Sequence, residues 1–239
     1  MNRRLWGVWM AVVMVAGTSV PAAVFTVTDP GDAGMGTLRW AITEANSNPG
    51  ADVIAFNLAP LVPILPGSAL PGITDRVIID GTTQPGYSGE ANVVLDGTSA
   101  GVASGLRVLS ATSVVIRALH VRHWTTGITL QNAVSNEVLS CVLWSNQIDG
   151  VMLDNAADSW IGTVGFGNRI VHNGDAGIRL AGGATRNKIQ GNAIGNDGTD
   201  VRGNDTGIEI MLASYNTIGG TGPFDGNLIS GNTEVHPVG

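Results

Sequence analysis

Five times along this chain a glycine is followed by apolar residues at alternate positions. The segments are Gly105-Leu106-Arg107-Val108, Gly127-Ile128-Thr129-Leu130, Gly150-Val151-Met152-Leu153, Gly177-Ile178-Arg179-Leu180 and Gly207-Ile208-Glu209-Ile210. Successive glycines lie 22, 23, 27 and 30 residues apart. Alternation of this kind predicts short strands with one buried side, and its recurrence at such intervals predicts a solenoid. Each strand is expected to turn both of its apolar members, Leu106 and Val108 through Ile208 and Ile210, toward one interior.

The remainder of each unit repeats as well. A small polar residue follows each glycine at Ser113, Asn136, Ser159, Asn187 and Asn216, and two positions later comes Val115, Val138, Ile161, Ile189 or Ile218. Asn146, Asn173 and Asn232 follow short apolar runs, and Asn suits left-handed corners. One turn of chain therefore reads as three short strands separated by corners. Stacked turns pair in parallel at about 4.8 Å. The expected fold is an all-β, right-handed parallel β-helix, the hand following the crossover rule.

Before the repeats, Leu38, Ala41, Ile42 and Ala45 are spaced as one face of a helix that Thr37 can cap. Such a helix is expected to cover the apolar end of the first coil. Asp52–Asn57, Arg76–Asp80 and Val93–Asp96 read as strands of early coils, and Pro63, Pro66, Pro71 and Pro85 hold the intervening segments in loops. The N-terminus reads as an export signal over residues 1–23: basic Arg3 and Arg4, an apolar run from Leu5 to Gly17, then small residues ending at Ala22-Ala23. The expected organisation is signal peptide 1–23, strand and capping helix 24–58, and β-helix 59–239, with no transmembrane helix in the mature chain.

Several segments resemble CSLREA-type exported bacterial proteins. They are Val24-Phe25-Thr26-Val27-Thr28, Gly36-Thr37-Leu38-Arg39-Trp40-Ala41-Ile42, Asp52-Val53-Ile54-Ala55-Phe56-Asn57, Ile79-Asp80-Gly81-Thr82-Thr83-Gln84-Pro85-Gly86-Tyr87 and Asn227-Leu228-Ile229-Ser230-Gly231-Asn232. The resemblance implies a pectin-lyase-like β-helix on large secreted or cell-surface proteins, mostly without an assigned reaction.

The formal charge is −7, and −9 once residues 1–23 are removed. That balance argues against nucleic acid as a partner, and against unaided binding of an acidic polysaccharide. Cys141 is the only cysteine, so no internal disulfide forms, and it reads as a small buried hydrophobe.

Candidate chemistry is sparse. Asp175 and Asp205 each precede a strand glycine by two positions and Asp149 precedes its glycine by one. Stacking would set Asp175 and Asp205 about 5 Å apart, near the separation of a retaining glycosidase pair. The same pair could hold Ca²⁺ with Asn173 and Asn204, although acids at corners also serve turns without further cause. Asn196-Asp197-Gly198-Thr199-Asp200 resembles a calcium loop in composition but lacks EF-hand spacing. Arg117, His120, Arg122 and His123 form a dense basic stretch, yet no acidic column accompanies it: Leu109, Gln131, Asp154, Ala181 and Met211 share the position four residues after each glycine, so Asp154 has no acidic neighbour there. Arg179 and Glu209, at one outward position on adjacent coils, are expected to pair. Trp124, Trp144 and Trp160 are candidate sugar platforms, set against ordinary packing under corners.

Two functions compete on these grounds. One is an exported scaffold that binds a polysaccharide without catalysis; the other is a polysaccharide lyase or glycoside hydrolase, supported by fold analogy and the acid column. After Gly231-Asn232 the pattern calls for a further strand, whereas the chain gives Thr233-Glu234-Val235-His236-Pro237. An uncovered coil end predicts a piece of a longer protein or end-to-end self-association.

Overall fold

A computed structural model describes residues 22–195 and 203–233. Most of the expected signal segment, residues 196–202 with the expected calcium-like stretch, and residues 234–239 lie outside the described residues. The chain winds into a parallel β-solenoid with three walls. The first wall holds eight strands: Val24–Val27, Asp52–Phe56, Val77–Asp80, Val115–Arg117, Glu137–Leu139, Trp160–Ile161, Lys188–Ile189 and Thr217–Ile218. The second holds Val93–Asp96, Leu119–Arg122, Val142–Trp144, Arg169–Val171, Ala193–Gly195 and Leu228–Ser230. The third is built from the glycine-led repeats, Ser104–Leu109, Thr126–Gln131, Val151–Asp154, Ala176–Ala181 and Thr206–Ile210.

Register explains why the repeats begin with glycine. On the third wall Val151 pairs with Ile128 on one side and Ile178 on the other, so like residues form columns. A Cβ on Gly127 would lie 2.5 Å from the Gly150 carbonyl oxygen, and one on Gly150 2.6 Å from that of Gly177. The next coil approaches too closely for any side chain there. The interior column is buried from Leu106 through Leu180, as the alternation predicts. Ile208 is only partly covered and Ile210 is 52% exposed, because no described strand pairs with the far side of Thr206–Ile210.

The α-helix Leu38–Ser47 is capped by Thr37, whose hydroxyl accepts from the Trp40 N–H. It buries Leu38, Ala41, Ile42 and Ala45 in the same core as Val27, Ile54 and Phe56, covering the first strands. No helix among the described residues is long and apolar enough to cross a membrane.

The corners differ from expectation in an informative way. Asn146 and Asn173 do not take the left-handed conformation; the residues before them, Ser145 and His172, do. The asparagines point inward and stack. Asn146 Oδ1 accepts from the Trp124 N–H at 3.2 Å, Asn173 Oδ1 from Asn146 at 3.1 Å, Asn204 Oδ1 from Asn173 at 2.9 Å and Asn232 Oδ1 from Asn204 at 3.1 Å. Each Nδ2 from Asn173 onward donates to a backbone carbonyl of an earlier coil, as Asn173 does to Leu143 at 3.2 Å. A second ladder runs Asn136, Ser159, Asn187, Asn216 and a third Asn168, Asn192, Asn227. Ser113 is one residue out of the second ladder; Val114 holds that position, and Ser113 is the left-handed corner.

Replacing Asn173 with Ala strips partners from Asn146, from the Leu143 carbonyl and from Asn204. The expected loss is about 3–5 kcal/mol of unfolding free energy, since each buried group left unpaired costs ~1–3 kcal/mol. Urea denaturation measures it, and a loss below ~1 kcal/mol would show that the ladder is incidental.

Candidate functional site

Two of the three candidate acids, Asp149 and Asp175, prove to be organised by Arg179. Asp149 is 2% exposed, and its carboxylate accepts from Arg179 Nε at 3.0 Å and from the Ala176 N–H at 3.2 Å. Arg179 also pairs with Asp175 and Glu209, so one guanidinium meets three acids from three coils. The expected Arg179–Glu209 pair is present, but the arginine is only 14% exposed and far more engaged than a surface pair. Burial pushes the Asp149 carboxyl above its usual range, against the pull of Arg179. Asp205 lies one coil on from Asp175, since the Thr206 N–H donates to the Asp175 carbonyl at 3.0 Å. Asp175, bound to a guanidinium, is not one half of a free carboxyl dyad. Nor can Asn173 and Asn204 serve Ca²⁺: both are buried, with their amide oxygens already accepting ladder hydrogen bonds.

The basic stretch is likewise paired across coils. Arg117 forks onto Asp80, with Nε to Oδ1 at 2.8 Å and a terminal nitrogen to Oδ2 at 2.6 Å. Arg122 Nε reaches Asp96 Oδ2 at 2.8 Å, and His123 Nδ1 lies 3.1 Å from Asp96 Oδ1. These contacts follow from register, which sets Asp80 beside Arg117 and Asp96 beside Arg122. Burial favours the neutral acid at Asp96, but hydrogen bonds from Thr98, Arg122 and His123 outweigh it and hold the pKa at about 2.

The three candidate tryptophans separate, one into the interior and two onto different walls. Trp124 is fully buried, which removes it as a sugar platform. It occupies the corner position that Asn146 fills one coil later, so its side chain points inward and its Nε1 donates to the Leu95 carbonyl at 3.2 Å. Gly97 makes room: a Cβ there would lie 2.4 Å from the indole. Trp160 is half-buried on the first wall, with the Lys188 ammonium 4.3 Å from its ring centre. Trp144 faces outward on the second wall and is half-buried.

Three histidines gather around Trp144. Its ring centre lies 5.4 Å from His123, 5.7 Å from His172 and 6.2 Å from His120, the last edge-on. His123 and His172 come from the corners of the coils before and after, since the His123 N–H donates to the Ser145 carbonyl and the Ser145 N–H to Val171. An open groove of about 580 Å³ adjoins the stack, lined by Thr98, His123, Ser145 and Gln147 among others. The sequence pattern singles out His120, His123 and Trp144 but not His172. Its signal was present: His172 follows Val171 as His123 follows Arg122 and Ser145 follows Trp144.

The walls, corner ladders and covered first coil define a parallel β-helix protein. Residues 71–235 match the family described as periplasmic copper-binding protein (NosD), and the chain belongs to that family. In fold it is similar to the crystal structure of an alginate lyase from Paenibacillus sp. str. FPU-7, with a TM-score of 0.55 and 18% identity, over 89% of this chain and 70% of that one. No curated protein matches the chain.

Because the Asp96 pKa is lowered on folding, its contribution to stability is complete above about 3.8 and is lost as pH falls toward about 2. The melting temperature of the natural chain should therefore fall more steeply between pH 4 and 2 than that of Asp96→Asn. Parallel melting curves in that window would show that Asp96 is not held ionised by its partners.

Proposed function

We propose that the protein is an exported β-helix scaffold that binds a polysaccharide along its second wall, with Trp144 as the stacking platform. The observation that carries this reading is the half-exposed indole, held on an outward face among three imidazoles beside an open groove. Indole faces suit the apolar faces of sugar rings, and fixed neighbours lower the ordering cost of binding. Export to the periplasm, the cell surface or the medium is supported by the family's description and by the basic–apolar–small pattern of residues 1–23. The opening segments from Val24 to Asn57 keep the resemblance to CSLREA-type exported proteins.

Copper, the ion in the family's description, calls for imidazole, thiolate or thioether donors converging on one point. Among the described residues no three His, Cys, Asp or Glu side chains are arranged to hold a metal ion. Burial pushes the Cys141 thiol up to about 12, which suppresses the thiolate. His123 Nδ1 already meets Asp96, and the coil carrying Trp144 stands between His123 and His172. The imidazoles, thiol and carboxylates among the described residues do not converge on a copper centre. The alternative reading, a polysaccharide lyase or glycoside hydrolase, rests on likeness of fold to the alginate lyase, while Asp149 and Asp175 are committed to Arg179.

A glycan array probed with the purified protein tests the proposal. Trp144→Ala should weaken retained binding by about tenfold while Trp160→Ala leaves it unchanged, both with natural far-UV circular dichroism. Equal binding by the natural protein and Trp144→Ala, or binding to no glycan, would overturn it.

A further inference from the structure

The first coil encloses a carboxylate that lacks a counter-charge. Asp52 opens the second strand of the first wall and is completely buried. Its Oδ1 accepts from Asn48 Nδ2 and from the Ala23 N–H, both at 2.8 Å. Its Oδ2 is buried with no hydrogen-bond partner, and no arginine, lysine or histidine side chain among the described residues pairs with it. The other buried acids among those residues, Asp80, Asp96 and Asp149, each have an arginine. A carboxylate so enclosed is strongly disfavoured unless a cation stands beside it. The surroundings sharpen the demand, because Asn48 caps the C-terminal end of the helix Leu38–Ser47, where the peptide dipoles leave a negative partial charge.

One atom already at this carboxylate can become a cation. Ala23 precedes the first strand directly and is held by its carbonyl, which accepts from the Val53 N–H at 2.8 Å. In an unbroken chain its nitrogen is an amide with a single N–H. Hydrolysis of the Ala22–Ala23 bond adds one water across it, leaving a carboxylate on Ala22 and an ammonium on Ala23. That ammonium carries a positive charge and three donors, enough for Oδ1 and Oδ2 together. The sequence supports a cut at this bond: Val20-Pro21-Ala22 sets compact residues at the first and third places of the cleavage pattern, with the proline between them. A cut after Ala23 moves Pro21 into the first place and removes the nitrogen that meets Asp52.

We propose that the export signal is cut between Ala22 and Ala23 by a peptidase of the export machinery, and that the α-ammonium so freed is the counter-ion of Asp52. The proposal rests on the reading of the N-terminus as an export signal, and it ends that signal one residue before the expected boundary. Processing then completes the first coil as well as releasing the chain. It ties the first strand, the second strand and the end of the helix together through one ion pair. Before the cut, the same nitrogen offers Asp52 one donor and no charge, so the first coil is less stable in the precursor than in the mature protein.

The test is made on the full precursor, expressed in a bacterium with Lys188→Arg. Lys188 is the only lysine, so the α-amine is then the only amine left to modify. Intact mass and N-terminal sequencing of the exported protein should show a chain beginning Ala23-Val24-Phe25. Acetylating its α-amine restores an amide at Ala23 and should lower the melting temperature by about 10 °C. Asp52→Asn should also melt lower, and acetylation should then change it little. Equal losses on acetylation with and without Asp52 would mean that the carboxylate is not the ammonium's partner. Should Asp52→Asn fail to fold, acetylation of the protein with Asp52 intact decides alone. Cleavage at any other bond, or melting that acetylation leaves unchanged, overturns the proposal while export stands. A precursor retained uncut in the cytoplasm overturns the export reading as well.

Discussion

The inward-facing asparagine amide is the contact on which the rest of the structure depends. At each corner of a β-helix the chain leaves one wall for the next, and the ladder of strand hydrogen bonds stops. Backbone groups there are already inside, where an unpaired donor or acceptor costs ~1–3 kcal/mol. A primary amide accepts from the N–H of one coil through its oxygen while donating to the carbonyl of another through its nitrogen. Asn173 does both, and its oxygen also receives the amide of Asn146. Three such ladders let the aliphatic columns between them stack in one continuous core.

Once the interior is secured this way, the outward positions are free to carry charge and rings. Stacking places each of them beside its counterpart on the next coil, so pairs arise from register alone. Asp80 meets Arg117 and Asp96 meets Arg122 by this route, and the same geometry collects Asp149, Asp175 and Glu209 around Arg179. It also sets Trp144 between histidines of neighbouring coils. Beside its Asp96–Arg122 pair, the second wall leaves for solvent an indole among imidazoles.

Much of the architecture was legible in the residues. Alternation after each glycine located the third wall, and helical spacing with a Thr cap located the helix. The corners were harder to read. Asn is favoured both in left-handed turns and in inward ladders, so its presence does not say which of the two it serves. Coil length compounds the difficulty. Trp124 and Trp144 look equivalent as tryptophans after an apolar run, but Trp124 is matched by Asn146 and Trp144 by Arg122. Those two offsets differ in direction, one pointing inward and one outward, and only pairing across coils reveals it. His172 was missed for the same reason, because its neighbours in space lie on other coils.

The ladders also bear on how such a chain can change over evolutionary time. Successive members of the Asn146 ladder are 27, 31 and 28 residues apart, and those of the Asn168 ladder 24 and 35, yet the hydrogen bonds are the same. What is held constant is the post, not the length of rope between posts. Residues gained or lost in a gene can therefore emerge as loops on the outside, such as the one bearing Gly165 and Gly167, without any coil below being rebuilt. Binding surfaces on this framework are open to remodelling by insertion and deletion, a route that a tightly interlocked globular core denies to most proteins.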